Sequence, residues 1–570
     1  MKTSFKVFAL LCAFSALPDA SAQQPSQSWN PDKGTHYINP VINADYSDPD
    51  VCRVGNDYYM TSSSFGSLPG LQILHSTDLV NWEIIGAALT DYPGPNWSDE
   101  SEWEIIGQNL DITEADVPGP LEWRTKPQHG MGVYAPSIRY HDGEFYIYCG
   151  DPDRGIFMVK TKDPRGRWDD PVWVVKAKGY IDPCPFWDED GQAYLGRSIL
   201  GAGPIIIHKM SPDGRELLDE GRTVYTGPVA EGTKIHKFGE YYYLSIPEGG
   251  VQTGWQTILR SKNIYGPYEK KVVLEQGMTA INGPHQGSIV DTPDGEWWFL
   301  HFQERNPIGR VVHLQPMHWK DGWPVIGVDQ DMNGIGEPVL TWQNPGWKVH
   351  KNATELREDK MLEVKDKGYL PAHSDDFNSP ELGLQWQFNH NPVDGEWSLT
   401  ERKGWLTINA LKGESFRKAR NTIAQKSMGY VGEFTVKLDL SSLKENDYAG
   451  LAMMAQWNWQ VGVMKKDGKL YLYKGSDDNA VEVSMPYMKN VIYLRIHLNA
   501  LANTYSFSYS ENNKDFTPIG DSTDMWNGHW KGLHPAVFCY NTEGKGGKAH
   551  FDWAIYDIKD NHIVYKTKDE

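Results

Sequence analysis

A short pattern recurs five times between Tyr46 and Gln303. Each copy combines a strand-like apolar stretch, a tight turn at a glycine and a second strand rich in aromatic residues. The turn glycines are spaced by 88, 48, 48 and 56 residues, so a repeat of about fifty residues remains once an insertion is removed from the first interval. The five turns contain Gly55, Gly143, Gly191, Gly239 and Gly295.

Repeats of this length, built from hairpins with aromatic strands, are typical of a radial β-propeller. We therefore predict an all-β fold in which residues 30–340 form a five-bladed β-propeller. In a propeller the innermost strand of each blade faces the central axis. Polar side chains at equivalent positions of successive repeats should consequently meet at one end of the channel.

Four polar side chains lie seven to ten residues before the turn glycines of repeats 1, 3, 4 and 5. We interpret them as one repeat position and attribute the differences to turn length. Gathering three carboxylic acids costs free energy, because like charges oppose each other's ionisation. Matched positions therefore favour a functional interpretation over one in which Asp-Pro and Glu-Gly only begin strands. The four residues are Asp48, Asp182, Glu231 and His285.

Convergent carboxyl groups in a pocket indicate glycoside hydrolysis, in which one acid donates a proton and another activates water. The sequence around these acids resembles glycoside hydrolase family 43. The resemblance extends over nearly the whole chain after the N-terminus and implies an exo-acting member with a C-terminal sandwich. The matching segments are Tyr46–Val51, Gly130–Tyr140, Tyr180–Pro183, Ala230–Gly232, Gly309–Arg310, Gln315–Met317, Asp375–Phe377 and Leu382–Pro392.

Residues 373–570 are predicted to form a concanavalin-like antiparallel β-sandwich. Alternating segments such as Gly404–Asn409 and Val491–Ile496 support strands in this region. Residues 338–372 lose the repeat and become strongly charged, so we interpret them as the interdomain connection. The resemblance implies that the sandwich supports the propeller and lends one loop to the pocket, and we assign it no catalytic residue.

The resemblance implies a role for each acid. Glu231 is expected to be the general acid, kept protonated by burial and by two neighbouring carboxylates. Asp48 is expected to be the general base that activates water on the opposite face of the sugar. Asp182 is expected to orient the acid and to help keep it protonated. Inversion requires the acid and the base to stand about 6.5 to 9.5 Å apart, so that water fits between them.

Three further residues are candidates for substrate binding: Phe65, His285 and Arg310. The resemblance places Phe65 and Arg310 beside the terminal sugar, and His285 at the propeller axis near an ion or water. The alternatives are a core ring for Phe65, a surface salt bridge for Arg310 and no ion at all at the axis. No cofactor is required. A calcium ion held through water at His285 is the metal considered, since one imidazole is a poor direct ligand for a hard cation.

The function implied is release of a terminal pentose, α-L-arabinofuranose or β-D-xylose, from plant cell-wall polysaccharides or oligosaccharides. No residue pattern separates the two sugars. After Phe65 this chain has Gly66, Ser67 and Leu68, where β-xylosidases of the family often carry a tryptophan, which leaves room for an arabinofuranosidase. The alternatives are an endo-arabinanase on the same fold and a non-catalytic carbohydrate-binding propeller.

Charge and hydropathy limit the partners and the location. A net charge of −20 argues against nucleic acid, and no apolar run beyond the N-terminus is long enough to span a bilayer, so membrane insertion is not expected. Residues 1–22 have the pattern of a cleavable secretory signal, with Lys2 and Lys6 before an apolar run and Ala20-Ser21-Ala22 at its end. We expect a secreted or periplasmic protein, and the oligomeric state is left open.

Two further expectations concern the insertion and the cysteines. Residues 91–128 lengthen the first repeat interval and are expected to border the pocket, although a neutral surface loop is the alternative. The cysteines after the N-terminal segment show no metal-binding spacing. We expect them to be buried free thiols.

Overall fold

The computed structural model describes residues 36–90, 132–152, 154–305, 307–346, 373–389, 392–476, 481–525 and 530–560. In these ranges the structure is β throughout, apart from one 3-10 helix, Phe416–Lys418. None of their helices is long and apolar enough to cross a membrane. The predicted signal, the insertion 91–128 and most of the predicted connection lie outside the described residues.

The described residues up to 346 contain 23 strands, and most of these strands are buried along much of their length. In chain order they are β1 (His36–Ile38), β2 (Asp50–Val54), β3 (Asp57–Thr61), β4 (Ser67–Leu68), β5 (Gly70–Ser76), β6 (Glu83–Leu89), β7 (Tyr134–His141), β8 (Glu144–Asp151), β9 (Gly155–Thr161), β10 (Val172–Lys176), β11 (Tyr180–Trp187), β12 (Ala193–Ile199), β13 (Ile205–Met210), β14 (Arg222–Tyr225), β15 (Lys234–Phe238), β16 (Tyr241–Glu248), β17 (Trp255–Ser261), β18 (Glu269–Leu274), β19 (His285–Asp291), β20 (Trp297–Arg305), β21 (Gly309–Lys320), β22 (Trp323–Ile326) and β23 (Thr341–Gln343).

Five four-stranded antiparallel sheets follow one another along these strands, which confirms the predicted propeller. Blade 1 contains β2, β3, β5 and β6, and blades 2 to 5 contain β7–β10, β11–β14, β15–β18 and β19–β22. The first strand of each blade is its inner strand, and β19 contacts β2, which closes the ring. All five predicted turn glycines have positive φ, between 61° and 84°. A Cβ there would meet no atom within 4 Å, so backbone conformation and not space requires glycine.

The second part of the chain forms two largely antiparallel sheets, as predicted for a concanavalin-like sandwich. The nine-stranded sheet has the order β33-β32-β31-β30-β38-β28-β24-β4, with β27 on β38, and the eight-stranded sheet has the order β25-β26-β39-β29-β34-β35-β36, with β37 on β35. The strands are β24 (Gln387–Asn389), β25 (Trp397–Ser398), β26 (Leu406–Asn409), β27 (Leu411–Lys412), β28 (Ile423–Ala424), β29 (Val431–Asp439), β30 (Asp447–Met454), β31 (Trp459–Lys466), β32 (Lys469–Ser476), β33 (Val481–Tyr487), β34 (Val491–Asn499), β35 (Thr504–Ser510), β36 (Thr517–Pro518), β37 (Thr523–Asp524), β38 (His534–Asn541) and β39 (Lys548–Asp560).

One hydrophobic cluster contains residues of both the propeller and the sandwich. Trp298 and Leu314 of the propeller belong to the same buried cluster as Phe388 and Met428 of the sandwich. The short strand β4 leaves blade 1 and pairs with β24, so the propeller supplies an edge strand of a sandwich sheet. The predicted connection also begins with structure, because β23 pairs with β1 near the start of the described chain. The cysteines of the described ranges are free thiols, as expected.

Candidate active site

Every inner strand has one residue with a left-handed backbone at or just before its start. In blades 1 to 4 this residue lies two positions before the first regular strand pair, for example Asp50 with Thr61 in blade 1 and Cys184 with Gly196 in blade 3, and in blade 5 it lies one position before the pair of Gly287 with His301. In blades 2, 3 and 5 it lies at a β-bulge, a feature that redirects side chains near active sites. The five equivalent residues are Asp48 (φ 54°), Ala135 (45°), Asp182 (57°), Gly232 (60°) and Gln286 (38°).

This equivalence corrects the repeat position assigned from the sequence. Asp48 and Asp182 are equivalent, as expected, but Glu231 and His285 each lie one residue earlier than that position in their blades. In blade 5 the spacing to the turn glycine does not reveal the difference, because a bulge adds a residue to the strand without lengthening the pairing. Glu231 nevertheless lines the central cavity, whereas His285 is fully buried.

A cavity of about 460 Å³ lies where the starts of the inner strands meet. It brings together the three acids predicted from distant segments of the sequence. Its walls also include residues from blades 2 and 5 and one residue of the sandwich. The polar and aromatic lining residues are Asp48, Asp182, Glu231, Gln286, Arg310, Phe65, Tyr134 and Trp530.

Asp48 is buried and held by three hydrogen-bond donors. Ser47 Oγ (3.0 Å) and Ser63 Oγ (2.6 Å) donate to its Oδ2, and Arg310 Nη1 donates to its Oδ1 (2.9 Å). A carboxylate offers about four acceptor positions. One position on Oδ1 therefore remains for a molecule in the cavity. The arrangement suits an ionised carboxylate that accepts a proton from water.

The carboxyl groups of Asp182 and Glu231 form an interacting pair in the same cavity. Asp182 Oδ2 accepts hydrogen bonds from Ser198 Oγ and from the backbone N–H of Gly232, both at 2.7 Å. Burial, followed by the charge of Glu231, raises the pKa of Asp182 to about 7. Asp182 therefore retains a proton close to neutral pH, beside the carboxyl group of Glu231.

His285 supports Glu231 from behind the cavity. Its Nε2 lies 3.1 Å from Glu231 Oε1, and its ring packs against Phe302. Its Nδ1 has no hydrogen-bond partner among the described residues and faces Gly254, where a Cβ would lie 3.0 Å away. The described residues contain no group of three or more His, Cys, Asp or Glu side chains that could hold a metal. The water-mediated calcium ion stays a prediction, and no catalytic step below depends on it.

Arg310 is buried, which rules out the surface salt bridge considered from the sequence. Its side chain is 6% exposed and its guanidinium also lies over the Phe302 ring, at 4.5 Å from the centroid. Its Nε is 3.7 Å from Glu304 Oε1. Asp48 and Glu304 thus fix the guanidinium at the edge of the cavity. A fork of this kind also suits hydrogen bonding to sugar hydroxyl groups.

Comparison with known proteins gives the family. The model described as glycosyl hydrolases family 43 matches residues 37–104 and 113–324, and the model described as the beta xylosidase C-terminal concanavalin A-like domain matches residues 374–557. A protein named putative beta-xylosidase from Xylanibacter ruminicola is 44% identical over 91% of this chain and 88% of its own length. The chain belongs to glycoside hydrolase family 43.

Two further similar proteins support the assignment of this chain to family 43. A non-reducing end alpha-L-arabinofuranosidase from Bacteroides ovatus is 30% identical over 83% of this chain and 84% of its own length. A solved structure described as a bifunctional GH43-CE protein from Bacteroides eggerthii superimposes with a TM-score of 0.76 at 29% identity. It covers 94% of this chain, which spans 64% of that longer chain.

Phe65 lies in the wall of the cavity and is almost fully buried, so it is at once a core ring and a pocket residue. Its backbone pairs with Val133, where the described chain resumes after the insertion, and its ring packs on Tyr134 at 5.7 Å. The following Ser67 and Leu68 form β4 and are buried against the sandwich. In this family 43 enzyme, these two positions are used for domain contact.

Three lining residues of the family 43 enzyme were missed from the sequence: Tyr134, Gln286 and Trp530. Tyr134 and Gln286 could have been found, because they stand beside Ala135 and His285 in the recognised repeats. Trp530 had no local signal, since it lies in the sandwich, far along the chain from the acids. Its ring packs edge-on against the Tyr134 ring, with 5.9 Å between the ring centroids. Trp530 thus belongs to a segment of the sandwich at the pocket, as the resemblance led us to expect.

Proposed function

We propose that this enzyme removes terminal β-D-xylose from the non-reducing ends of plant cell-wall oligosaccharides with inversion, and that terminal α-L-arabinofuranose is its second substrate. The observation that carries this proposal is the single cavity into which Asp48, Asp182 and Glu231 project from three blades. The size of the cavity, about 460 Å³, is typical of a small-molecule pocket. Such a pocket suits the end of a sugar chain better than its middle, which favours exo action over the endo-arabinanase alternative.

Asp48 is assigned the role of general base. A water molecule attacks the anomeric carbon while the free acceptor position of Asp48 takes its proton. The bond from the anomeric carbon to the leaving oxygen breaks at the same time, and Glu231 donates a proton to that oxygen. The products are a free sugar with inverted configuration and a shortened chain. Arg310 keeps the Asp48 carboxylate in place through the 2.9 Å hydrogen bond.

Asp182 is assigned the role of proton reservoir and positioning group for the acid. It accepts a hydrogen bond from the backbone N–H of Gly232, the residue that follows Glu231, and this fixes the chain that carries the acid. His285 contacts one oxygen of Glu231, Oε1, which leaves Oε2 for the leaving oxygen of the substrate. Two carboxyl groups that share one proton supply an acid near neutral pH.

Xylose is placed first because the relative at 44% identity is named as a putative beta-xylosidase. Two observations support arabinofuranose as the second candidate. The Bacteroides ovatus relative is named as an arabinofuranosidase, and no tryptophan directly follows Phe65. Both sugars are pentoses with similar hydroxyl groups, so one small pocket with Arg310 and Phe65 can accept either.

The decisive experiment compares nitrophenyl β-D-xylopyranoside and nitrophenyl α-L-arabinofuranoside as substrates for wild type, Glu231→Gln and Asp48→Asn. We expect kcat to fall at least about 100-fold in both variants, because each loses an acid or base group. Glu231→Gln should lose much less on a dinitrophenyl glycoside, whose leaving group needs no proton, whereas Asp48→Asn should lose equally on both. Glu189→Gln, whose side chain is 88% exposed, is the matched control and should behave as wild type.

The configuration of the first product, followed by NMR, tests inversion. A β-xyloside should release α-xylose first. Release of β-xylose would overturn the mechanism, and no release of either sugar by wild type would favour the non-catalytic carbohydrate-binding propeller.

We also propose that the enzyme is exported after cleavage of residues 1–22, as their charge and apolar pattern indicate. N-terminal sequencing of the protein from its own cells should give Gln23 as the first residue. Recovery of an intact N-terminus from the cytoplasm would contradict export.

A further inference from the structure

Asp45 connects the two domains directly behind the active site. It lies three residues before Asp48, is 2% exposed and uses both carboxylate oxygens. Oδ1 accepts the backbone N–H of Arg310 at 2.9 Å, and Oδ2 accepts the backbone N–H of Gly532 at 2.8 Å. Arg310 belongs to the propeller and Gly532 to the sandwich. One carboxylate therefore joins two segments that each carry a cavity residue.

The segments that Asp45 joins lead directly to the cavity. Arg310 donates a hydrogen bond to the Asp48 carboxylate. Trp530 lies two residues before Gly532 and forms the part of the cavity wall that the sandwich supplies. The backbones approach too closely for other residues. A Cβ on Gly532 would lie 1.9 Å from the carbonyl oxygen of Ile308, and a Cβ on Gly309 would lie 2.5 Å from Asp45 Cγ. The separation of the two segments is thus set by this contact.

The side chains of Lys426, His534 and Lys531 lie around Asp45. Lys426 Nζ donates to its backbone carbonyl at 2.6 Å, and His534 Nε2 lies 3.7 Å from Oδ2. Lys531, also buried, donates from Nζ to Ser67 Oγ of β4 at 2.7 Å. Burial acts to raise the pKa of Asp45, but the nearby His534 side chain, the charge of Lys426 and the hydrogen bond from the backbone N–H of Arg310 hold it below its ordinary value. An ionised carboxylate can accept both backbone hydrogen bonds at once.

We propose that Asp45 is a positioning residue that holds Trp530 at a set distance from Arg310 and Asp48, and thereby shapes the part of the pocket that receives the leaving group. The Trp530 side of the wall is the outer one, because Trp530 is 42% exposed and its lining neighbour Val229 is 45% exposed. The terminal sugar must reach the buried acids, so the following sugar lies at this outer wall. This inference rests on the proposed hydrolase function. It adds a residue that shapes the part of the pocket in which the leaving group binds.

Asp45→Asn tests the proposal because it keeps the shape but cannot accept two backbone hydrogen bonds. One buried N–H is left unpaired, and the Trp530 segment is released from Arg310. On a disaccharide substrate we expect kcat/KM to fall roughly 10- to 100-fold, mainly through a higher KM. The double variant with Trp530→Ala should lose less than the product of the two single losses, since both act on the same wall.

Asp447→Asn is the matched control. Asp447 is a fully buried sandwich residue that also accepts backbone N–H groups, including that of Gly547 at 2.9 Å, and it does not line the cavity. Its variant should lower Tm but leave KM within about twofold of wild type, because sites without shared partners act independently. Equal KM effects for Asp45→Asn and Asp447→Asn, or multiplicative losses with Trp530→Ala, would overturn the proposal.

Lys531→Met is a second test of the proposal and is used if Asp45→Asn does not fold. It removes the hydrogen bond to Ser67 that fixes the same segment and should raise KM in the same direction, and an unchanged KM would overturn the proposal. Hydrolysis by wild type and by Asp447→Asn shows that the hydrolase function holds whatever Asp45→Asn does. An inactive wild type would overturn both the function and the positioning role.

Discussion

Asp182 shows how burial of a single carboxyl group in this cavity makes stability depend on pH. Its folded pKa of about 7 lies well above its ordinary value of 3.8, because it is buried beside Glu231. A carboxyl group whose pKa rises on folding stabilises the fold only while it is protonated. Its contribution is therefore complete below about pH 4 and is lost as the pH rises through 7.

Asp182→Asn should consequently stabilise the protein at neutral and alkaline pH while it lowers activity. The amide has no charge to desolvate, and its oxygen can still accept the hydrogen bonds of Ser198 and Gly232. Relative to wild type, its free energy of unfolding should rise between pH 4 and pH 8 by at least about 1 kcal/mol. Thermal or urea unfolding of both proteins across this range measures the difference. A difference that is constant with pH would contradict the shifted pKa.

At the scale of elements, the left-handed residues at the starts of the inner strands turn five repeats into a site. A non-glycine residue in this conformation costs roughly 1 to 2 kcal/mol. Four of the five residues are not glycine, and all four line the cavity. The surrounding strand pairs hold these residues in the strained conformation. This conformation sets the direction in which each side chain points.

Ser63 links two of these elements and gives a prediction at this scale. Its Oγ donates to Asp48 in blade 1 and accepts the backbone N–H of Ala135 in blade 2, at 2.7 Å. Ser63→Ala leaves that buried N–H unpaired and removes one donor from the base. We expect kcat/KM to fall about tenfold, on the basis of roughly 1 to 3 kcal/mol for an unpaired buried group.

Ser64→Ala is the control for this variant, and both are compared by steady-state kinetics on the nitrophenyl xyloside. Ser64 Oγ is buried without a hydrogen-bond partner in the described part of the chain, so its loss should change kcat/KM by less than about twofold. Similar losses in the two variants would show that Ser63 acts only through general packing.

At the scale of the whole molecule, the propeller and the sandwich pack closely against each other. They share a hydrophobic cluster, strand β4 completes a sandwich sheet, and Trp530 completes the cavity. Removal of either part would expose the apolar side chains that now lie between them. Large exposed apolar patches lead to association.

A chain truncated after residue 346 should therefore be largely insoluble or aggregated when it is produced alone, and its soluble fraction should lack activity. The measurement is size-exclusion chromatography together with hydrolysis of the nitrophenyl xyloside. A full-length chain that begins at Gln23 is the control and should elute as a folded, active protein. A soluble, monomeric and active propeller would contradict a shared core.

Much of the architecture was predictable because it depends on local signals. Turn glycines with positive φ and aromatic hairpins recur in the sequence, and each needs only its neighbours to specify it. The three acids were found because the repeats carry them to similar places. The offset of Glu231 and His285 by one residue was not predictable, because it depends on which residue of each inner strand has the left-handed backbone, and in blade 5 on a bulge that only pairing with the adjacent strand defines.

The sequence by itself thus determined the number of blades, the two-domain order and the acids available for catalysis, since periodicity and residue type are local properties. The tertiary structure alone decided that Asp45 joins Arg310 to Gly532 and that Trp530 enters the pocket. These contacts join residues hundreds of positions apart. They form only when the two domains pack on their common core, and no pattern along the chain specifies that packing.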